Sequence, residues 1–208
     1  MRMKTVGTII DYGLYRLIMF VLDLRNNRRF EKTYGDFRLH DNYDPLTVKK
    51  LHSESGIILG SIAQFIREIE TPVDSLLLPG ENNEIKRVYQ DRFKIPRART
   101  AGILDDVDFR WNFEEDPPSM GQYQLIVSQA ILEHLIHPYK HLSDLHRLLE
   151  PGGHLIVHSV LPGYFYHRYP LDCLRFYPDW FEEVAKRLGF QVAARHIHRG
   201  HIFYRMRK

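Results

Sequence analysis

Two short apolar runs, Leu125-Ile126-Val127 and Leu155-Ile156-Val157, constrain this chain more than any other feature. Each is too short for a helix and is bounded by polar residues, as a strand buried on both faces would be. Between them His141, Leu142, Leu145, Leu148 and Leu149 recur at helical steps and share one face. Pro151-Gly152-Gly153 follows, and it is predicted to stop that helix, because Gly takes a left-handed cap and Pro cannot continue the turn. Strand, helix and strand with a short return make a βαβ unit. Its strands are expected to be parallel and its crossover right-handed. The fold class is therefore α/β.

The order of residues within this unit says more than its periodicity. After the first apolar run come Leu132-Glu133-His134 and Pro138. Then Leu142, Leu145, Arg147, Leu149 and Pro151-Gly152-Gly153 complete a Leu-x-x-Leu-x-Arg-x-Leu-x-Pro-Gly-Gly pattern. From Gln122 to Val160 the chain resembles the S-adenosylmethionine-dependent methyltransferases of the Rossmann-like class. That resemblance implies a doubly wound, mostly parallel seven-stranded sheet, S-adenosylmethionine as cofactor, and an enzyme that transfers methyl groups.

Length and charge narrow the setting. A chain of 208 residues is long enough for one core with helices on both sides of a sheet. Residues 1–70 are read as an N-terminal helical extension or cap and residues 71–208 as the methyltransferase core. A net charge of +3 is too small to argue for nucleic acid, and no such partner is expected. The one cysteine, Cys173, excludes an internal disulfide and suits a reducing compartment, so a cytoplasmic location is expected. Thr5 to Leu24 is rich in apolar residues, but Asp11, Arg16 and Asp23 interrupt it and argue against an integral membrane segment. Ile10, Leu14, Leu17, Ile18, Val21 and Leu24 fall on one helical face instead, which suits packing on the core or on a second copy in a homodimer better than the alternative of a membrane-surface helix.

Ahead of the sheet, Asp44-Pro45 is predicted to open a helix as N-cap and first residue. A second helix is expected over about Gly56 to Ile69. Asp74–Pro79 is the expected first strand. Here the chain departs from the family, which follows this strand with a Gly-rich loop: it has Pro79-Gly80-Glu81-Asn82-Asn83-Glu84, in which Gly80 alone matches. Asn82 and Asn83 tolerate left-handed backbone and are expected to keep the turn, while Glu84 has no such excuse. A helix over Glu84–Arg92 and a strand over Thr100–Leu104 come next.

The resemblance implies a set of cofactor-binding residues: Gly80 and Glu81 after the first strand, and Asp105 or Asp106 for the ribose hydroxyls. Asn112 and Phe113 would lie along the adenine, with Ser128, Gln129 and His134 at the central strand's end. A carboxylate accepts two hydroxyl hydrogen bonds at once, which is why an acid is expected at the ribose.

The segment after His158 resembles a subset of these enzymes associated with sugar and glycan modification. The subset's Tyr/His-Arg-Tyr-Pro-x-Asp-x-x-Arg-Phe pattern falls on Tyr166, His167, Arg168, Tyr169, Pro170, Asp172, Arg175 and Phe176. Tyr166, Arg168, Tyr169 and Arg175 are the implied substrate-binding residues, since aromatic faces cover C–H patches and charged groups bond hydroxyls. Trp180 and Phe181 are expected in the core. A sugar hydroxyl needs a base, and His158 or His167 is expected to serve, with Asp172 as orienter or alternative base. The reading is O-methylation of a sugar hydroxyl of a glycan or glycoconjugate. Two alternatives stay open: a methyltransferase for another small-molecule acceptor, and a non-catalytic scaffold with a degenerate cofactor loop. His196, His198 and His201 raise a metal site, but edge-strand histidines account for them better, and no metal is expected.

Overall fold

The computed structural model describes residues 51–208 except 165 and 168–170, together with Val21, Arg25, Arg28 and Lys32. Along the chain lie α1 (Leu51–Arg67), β1 (Ser75–Pro79), α2 (Asn83–Phe93), β2 (Arg97–Gly102), β3 (Phe109–Arg110) and β4 (Tyr123–Gln129). A 3-10 turn (Leu132–His134), α3 (Pro138–Leu148), β5 (Leu149–Val160), α4 (Pro178–Leu188), β6 (Gln191–His198) and β7 (His201–Arg207) complete it.

The two apolar runs became neighbouring central strands. β4 and β5 pair in parallel from Leu125↔His154 to Gln129↔His158. Leu125, Ile126, Leu155, Ile156 and Val157 are wholly removed from water, as continuous apolar strands covered on both faces should be. The seven strands run in the order β3-β2-β1-β4-β5-β7-β6. All pairs are parallel except those made by β7, which is antiparallel to both β5 and β6. The closing hairpin turns at Arg199 and Gly200, both at positive φ (48° and 83°). The expected doubly wound, mostly parallel, seven-stranded sheet is what forms.

One face of the sheet packs against α1 and α2. Ile62, Phe65 and Ile66 of α1 and Tyr89 of α2 meet Leu76, Leu78, Leu125 and Phe203 there. On α4, Phe181 stacks on Tyr204 with ring centroids 4.8 Å apart, so the expected core position of Phe181 is found. Trp180 is only half-buried, against Phe176 and Phe181.

Several boundaries differ from the sequence reading, each for a local reason. The chain divides into units Met1–Arg38 and Leu39–Lys208, and α1, within the second, covers the core of the sheet. In the first unit Val21, Arg25, Arg28 and Lys32 are helical. The rest of the expected Thr5–Leu24 helix, and the start at Asp44-Pro45, lie outside the described residues. Among the described residues no helix is long and apolar enough to cross a membrane.

Gly152 and Gly153 do not cap the helix. α3 stops at Leu148, and Pro151, Gly152 and Gly153 form an irregularity inside β5, where the register jumps from Tyr123↔Leu149 to Leu125↔His154. Pro151 disfavours helical angles at Glu150, which ends the helix earlier than the glycines would. Gly153 is needed for a different purpose: a Cβ there would sit 2.9 Å from the Glu150 carbonyl and 3.1 Å from that of Gln124. β2 likewise runs earlier than Thr100–Leu104. Arg97 and Arg99 alternate outward around buried Ala98, a strand pattern that a search for apolar runs passes over.

Candidate functional site

The strand order reverses between β1 and β4, and open α/β sheets place their ligand sites at such a point. A cleft of about 260 Å³ opens there. Gly80 follows β1 with Gly102 beside it, where a Cβ on Gly102 would lie in ordinary contact, 3.7 Å from Gly80 Cα. Gly80 itself is at φ 81°, and a Cβ on it would meet Ile131 Cδ1 at 3.0 Å. Ala130 is held at φ 50°, and its N–H donates to the His158 carbonyl at 3.1 Å. A non-glycine residue in that region is uncommon and is found where the surroundings dictate it, often at ligand sites.

Five of the nine expected cofactor residues line this cleft: Gly80, Asn112, Phe113, Gln129 and His134. Ile103, Leu104, Ala130, Ile131, Leu135, Ile136 and Leu171 supply apolar wall that the sequence reading did not single out. Apolar walls with a few convergent polar groups are what small-molecule sites use. Phe113 packs edge-on against buried Trp111 at 4.8 Å, and Trp111 Nε1 donates to the Glu115 carbonyl. The Asn112 amide is engaged within its own turn: Nδ2 donates to Glu115 Oε1 at 3.0 Å and Oδ1 accepts from the Glu114 N–H at 3.2 Å. Glu114 pins the far wall by accepting from the amides of Ile136 and His137 and from His137 Nδ1. Burial alone would raise its carboxyl, but those bonds outweigh it and hold the group below the usual range.

The other four cofactor candidates lie elsewhere. Ser128 is fully buried and hydrogen-bonded to His141 Nε2 at 3.2 Å, and does not line the cleft. Burial keeps His141 neutral, pushing it down to about 3. Asp105 points into solvent and pairs with Arg110 at 2.8 Å; Asp106 is exposed and accepts from Asn83 Nδ2. The acid that turns inward is Asp108, which bonds Lys86 and the Thr100 amide and closes the β2–β3 loop. Glu81 is half-buried, and burial raises its carboxyl to about 7.

The segment after β1 folds differently from the expectation. Asn82 sits at φ −94°, not left-handed, and its side chain accepts from the Ile85 N–H at 3.0 Å as the N-cap of α2. Glu84 is exposed in the first helical turn, where its charge suits the helix dipole. The loop that must approach a ligand is therefore only Gly80-Glu81, and the glycine it needs is present.

The three expected catalytic residues have unlike settings. His158 is buried, hydrogen-bonded through Nε2 to His201 Nδ1 at 3.0 Å, and stacked on Phe203. Burial, then the nearby His201 and His167, push it well below its usual range, so it is a neutral core histidine outside the cleft. Asp172 is held ionised, down to about 2, chiefly by hydrogen bonding from Arg175. Its Oδ2 also accepts from the His167 N–H at 2.6 Å. His167 is partly exposed, and its ring lies edge-on to His134 at 5.0 Å. Of the expected substrate residues, Tyr166 is exposed, Arg175 is tied to Asp172 and to the Tyr164 carbonyl, and Arg168 and Tyr169 lie outside the described residues. Glu133 organises this region: its carbonyl accepts from the amides of Cys173 and Leu174, while its carboxylate is completely buried. The sequence reading passed over it as part of a Leu-Glu-His turn.

A doubly wound sheet with a cleft at its switch point defines a protein that binds a nucleotide-like or other small ligand at the ends of β1 and β4. Residues 62–204 match the methyltransferase domain family, and the chain belongs to that family: it is a methyltransferase. No curated protein matches the chain. Among solved structures it is similar to the 1,6-didemethyltoxoflavin-N1-methyltransferase of Burkholderia thailandensis, seen with 1,6-didemethyltoxoflavin and S-adenosylhomocysteine. The identity is 14% and the TM-score 0.60, over 77% of this chain and 84% of that one. A SAM-dependent methyltransferase from Archaeoglobus fulgidus is 10% identical with a TM-score of 0.56, over 79% and 100% of the two chains. An O-methyltransferase family protein from Burkholderia thailandensis is 10% identical with a TM-score of 0.54, over 72% and 56%. At these identities the likeness is one of fold.

Proposed function

We propose that this methyltransferase uses S-adenosylmethionine to O-methylate a sugar hydroxyl in a glycan or glycoconjugate. One observation carries the reading: Leu171, in the segment between β5 and α4, stands at the cleft. The Leu171 carbonyl accepts from the Nδ1 of His134, which also lines the cleft.

The residues fit the cofactor in most respects. Gly80 leaves room for a ligand beside Ile131, Phe113 and Ile103 offer apolar surface for a purine, and Gln129 and His134 offer polar atoms at the end of β4. Asp105 and Asp106 turn outward, so the ribose partner is not where the resemblance put it. S-adenosylmethionine, when bound, supplies a methyl group on a sulfonium that an oxygen lone pair can attack in line. The chain's own part is proximity and removal of one proton.

His167 is the base in this reading. It stands beside His134 and is positioned by the Asp172 carboxylate, and an imidazole accepts a proton from an alcohol near neutral pH. Asp172, held ionised by Arg175, is too weak a base and acts as orienter. His158 has no access to the cleft. The scaffold alternative loses part of its ground, because Asn82 and Glu84 belong to α2 and not to a spoiled loop.

Turnover of S-adenosylmethionine with candidate glycans tests this. A sugar acceptor should be methylated, and His167→Ala should lower the rate by about 10²–10⁴-fold, the usual worth of a general base. Reaction with a non-sugar acceptor alone would overturn the sugar reading and leave the methyltransferase intact.

A further inference from the structure

We propose that Glu133, His134 and His167 form a site for one divalent ion of the Zn²⁺ class at the inner wall of the cleft. Two imidazoles and one carboxylate are the donors of three-ligand sites that keep a position open for water or substrate. One ligand atom from each residue lies within 4.8 Å of the other two. His167 Nε2 is 3.9 Å from Glu133 Oε1, too far for a hydrogen bond and close to what an ion between them requires. A tetrahedral ion with bonds of about 2.0–2.1 Å separates its ligands by about 3.4 Å, so the widest pair closes by about 1.4 Å.

Glu133 supplies the independent observation. Its side chain is completely buried. Oε2 accepts from Ser159 Oγ at 2.7 Å, but Oε1 has no hydrogen-bond partner among the described residues. A buried carboxylate oxygen left without a donor is costly unless something positive meets it. His134 points the same way. A carbonyl can only accept, so the bond to Leu171 places the proton on Nδ1 and leaves Nε2 with its lone pair. Two of the ligands have an outer partner that orients them, Ser159 for Glu133 and the Leu171 carbonyl for His134, while Asp172 Oδ2 accepts from the backbone N–H of His167 and stands 3.7 Å from its Nδ1. The His196 cluster lacks this convergence, since His196 bonds Ser61 and His201 bonds His158.

An acceptor hydroxyl on such an ion would lose its proton more easily, with His167 then a ligand instead of the base. That consequence rests on the proposed function; the binding site does not. The test is calorimetric titration of Zn²⁺ alone into the chelator-treated full chain, with Co²⁺ absorption to report coordination. One ion per chain is expected. Glu133→Gln, His134→Ala and His167→Ala should each weaken binding at least tenfold, and His196→Ala should bind as wild type does. Glu133→Gln disturbs a buried bond; should it fail to fold, the two partly exposed histidines carry the test, with circular dichroism as the check. Absence of saturable one-to-one binding would overturn the site, as would binding that survives both His134→Ala and His167→Ala or that is lost in His196→Ala. S-adenosylmethionine binding by the metal-free chain reads the proposed function separately, so the two failures cannot be confused.

Discussion

Glu81, next to the first glycine of the cleft, gives a quantitative prediction. Burial raises its carboxyl from an ordinary 4.5 to about 7, so the folded chain keeps a proton there that the unfolded chain has lost. The sign follows from linkage. A raised acid gives no penalty below the unfolded value, and stability falls as pH rises from about 4.5 through 7. Each pH unit between the unfolded and folded values is worth about 1.36 kcal/mol, so the full cost above pH 8 is up to about 3 kcal/mol, less to the extent that water reaches the half-buried group. Glu81→Gln keeps the shape without the charge. It should match wild type at pH 4.5 and exceed it by about 2–3 kcal/mol at pH 8, read from urea midpoints at both values with m unchanged. A difference that is the same at both pH values, or that grows toward acid, would refute the reasoning.

Asn82→Ala removes the N-cap of α2 and should cost about 1 kcal/mol in urea denaturation. Gly153→Ala drives a methyl group against two backbone carbonyls that cannot rotate away; a loss of about 1–3 kcal/mol is expected, with wild-type stability contradicting the close approach. His158→Ala should act through folding, lowering the thermal midpoint by emptying a buried site against Phe203, and an unchanged midpoint would show the histidine is not packed there.

The fold was legible where the chain buries long apolar runs. Leu76–Leu78, Leu125–Val127 and Leu155–Val157 read as buried strands and are such, and the helix between the last two gave the βαβ unit, while the seven-stranded order was what the family resemblance implied. β2 was less legible because its arginines face water and break the apolar run. Gly80, Asn112, Phe113, Gln129 and His134, which the resemblance implied, come together to line the cleft. The site was not legible where a side chain's direction decides. Asp105, Asp106 and Asp108 are one short acidic loop in sequence, yet the first two face solvent while Asp108 turns inward to Lys86 and Thr100. His158 and His167 looked alike as bases, but one lies on a buried strand face and the other in the segment beside the cleft. Glu133 gave no signal at all, since nothing in Leu-Glu-His says that the carboxylate turns inward.

The central claim is that the cleft at the ends of β1 and β4 binds the methyl donor. Calorimetry with S-adenosylmethionine and S-adenosylhomocysteine, on wild type and Gly80→Ala, tests it most directly. The account predicts one site per chain for both ligands, and weaker binding in the variant, whose new methyl group meets Ile131 at the cleft. No heat and no thermal shift with either ligand at millimolar concentration, or identical affinity in wild type and variant, would contradict it.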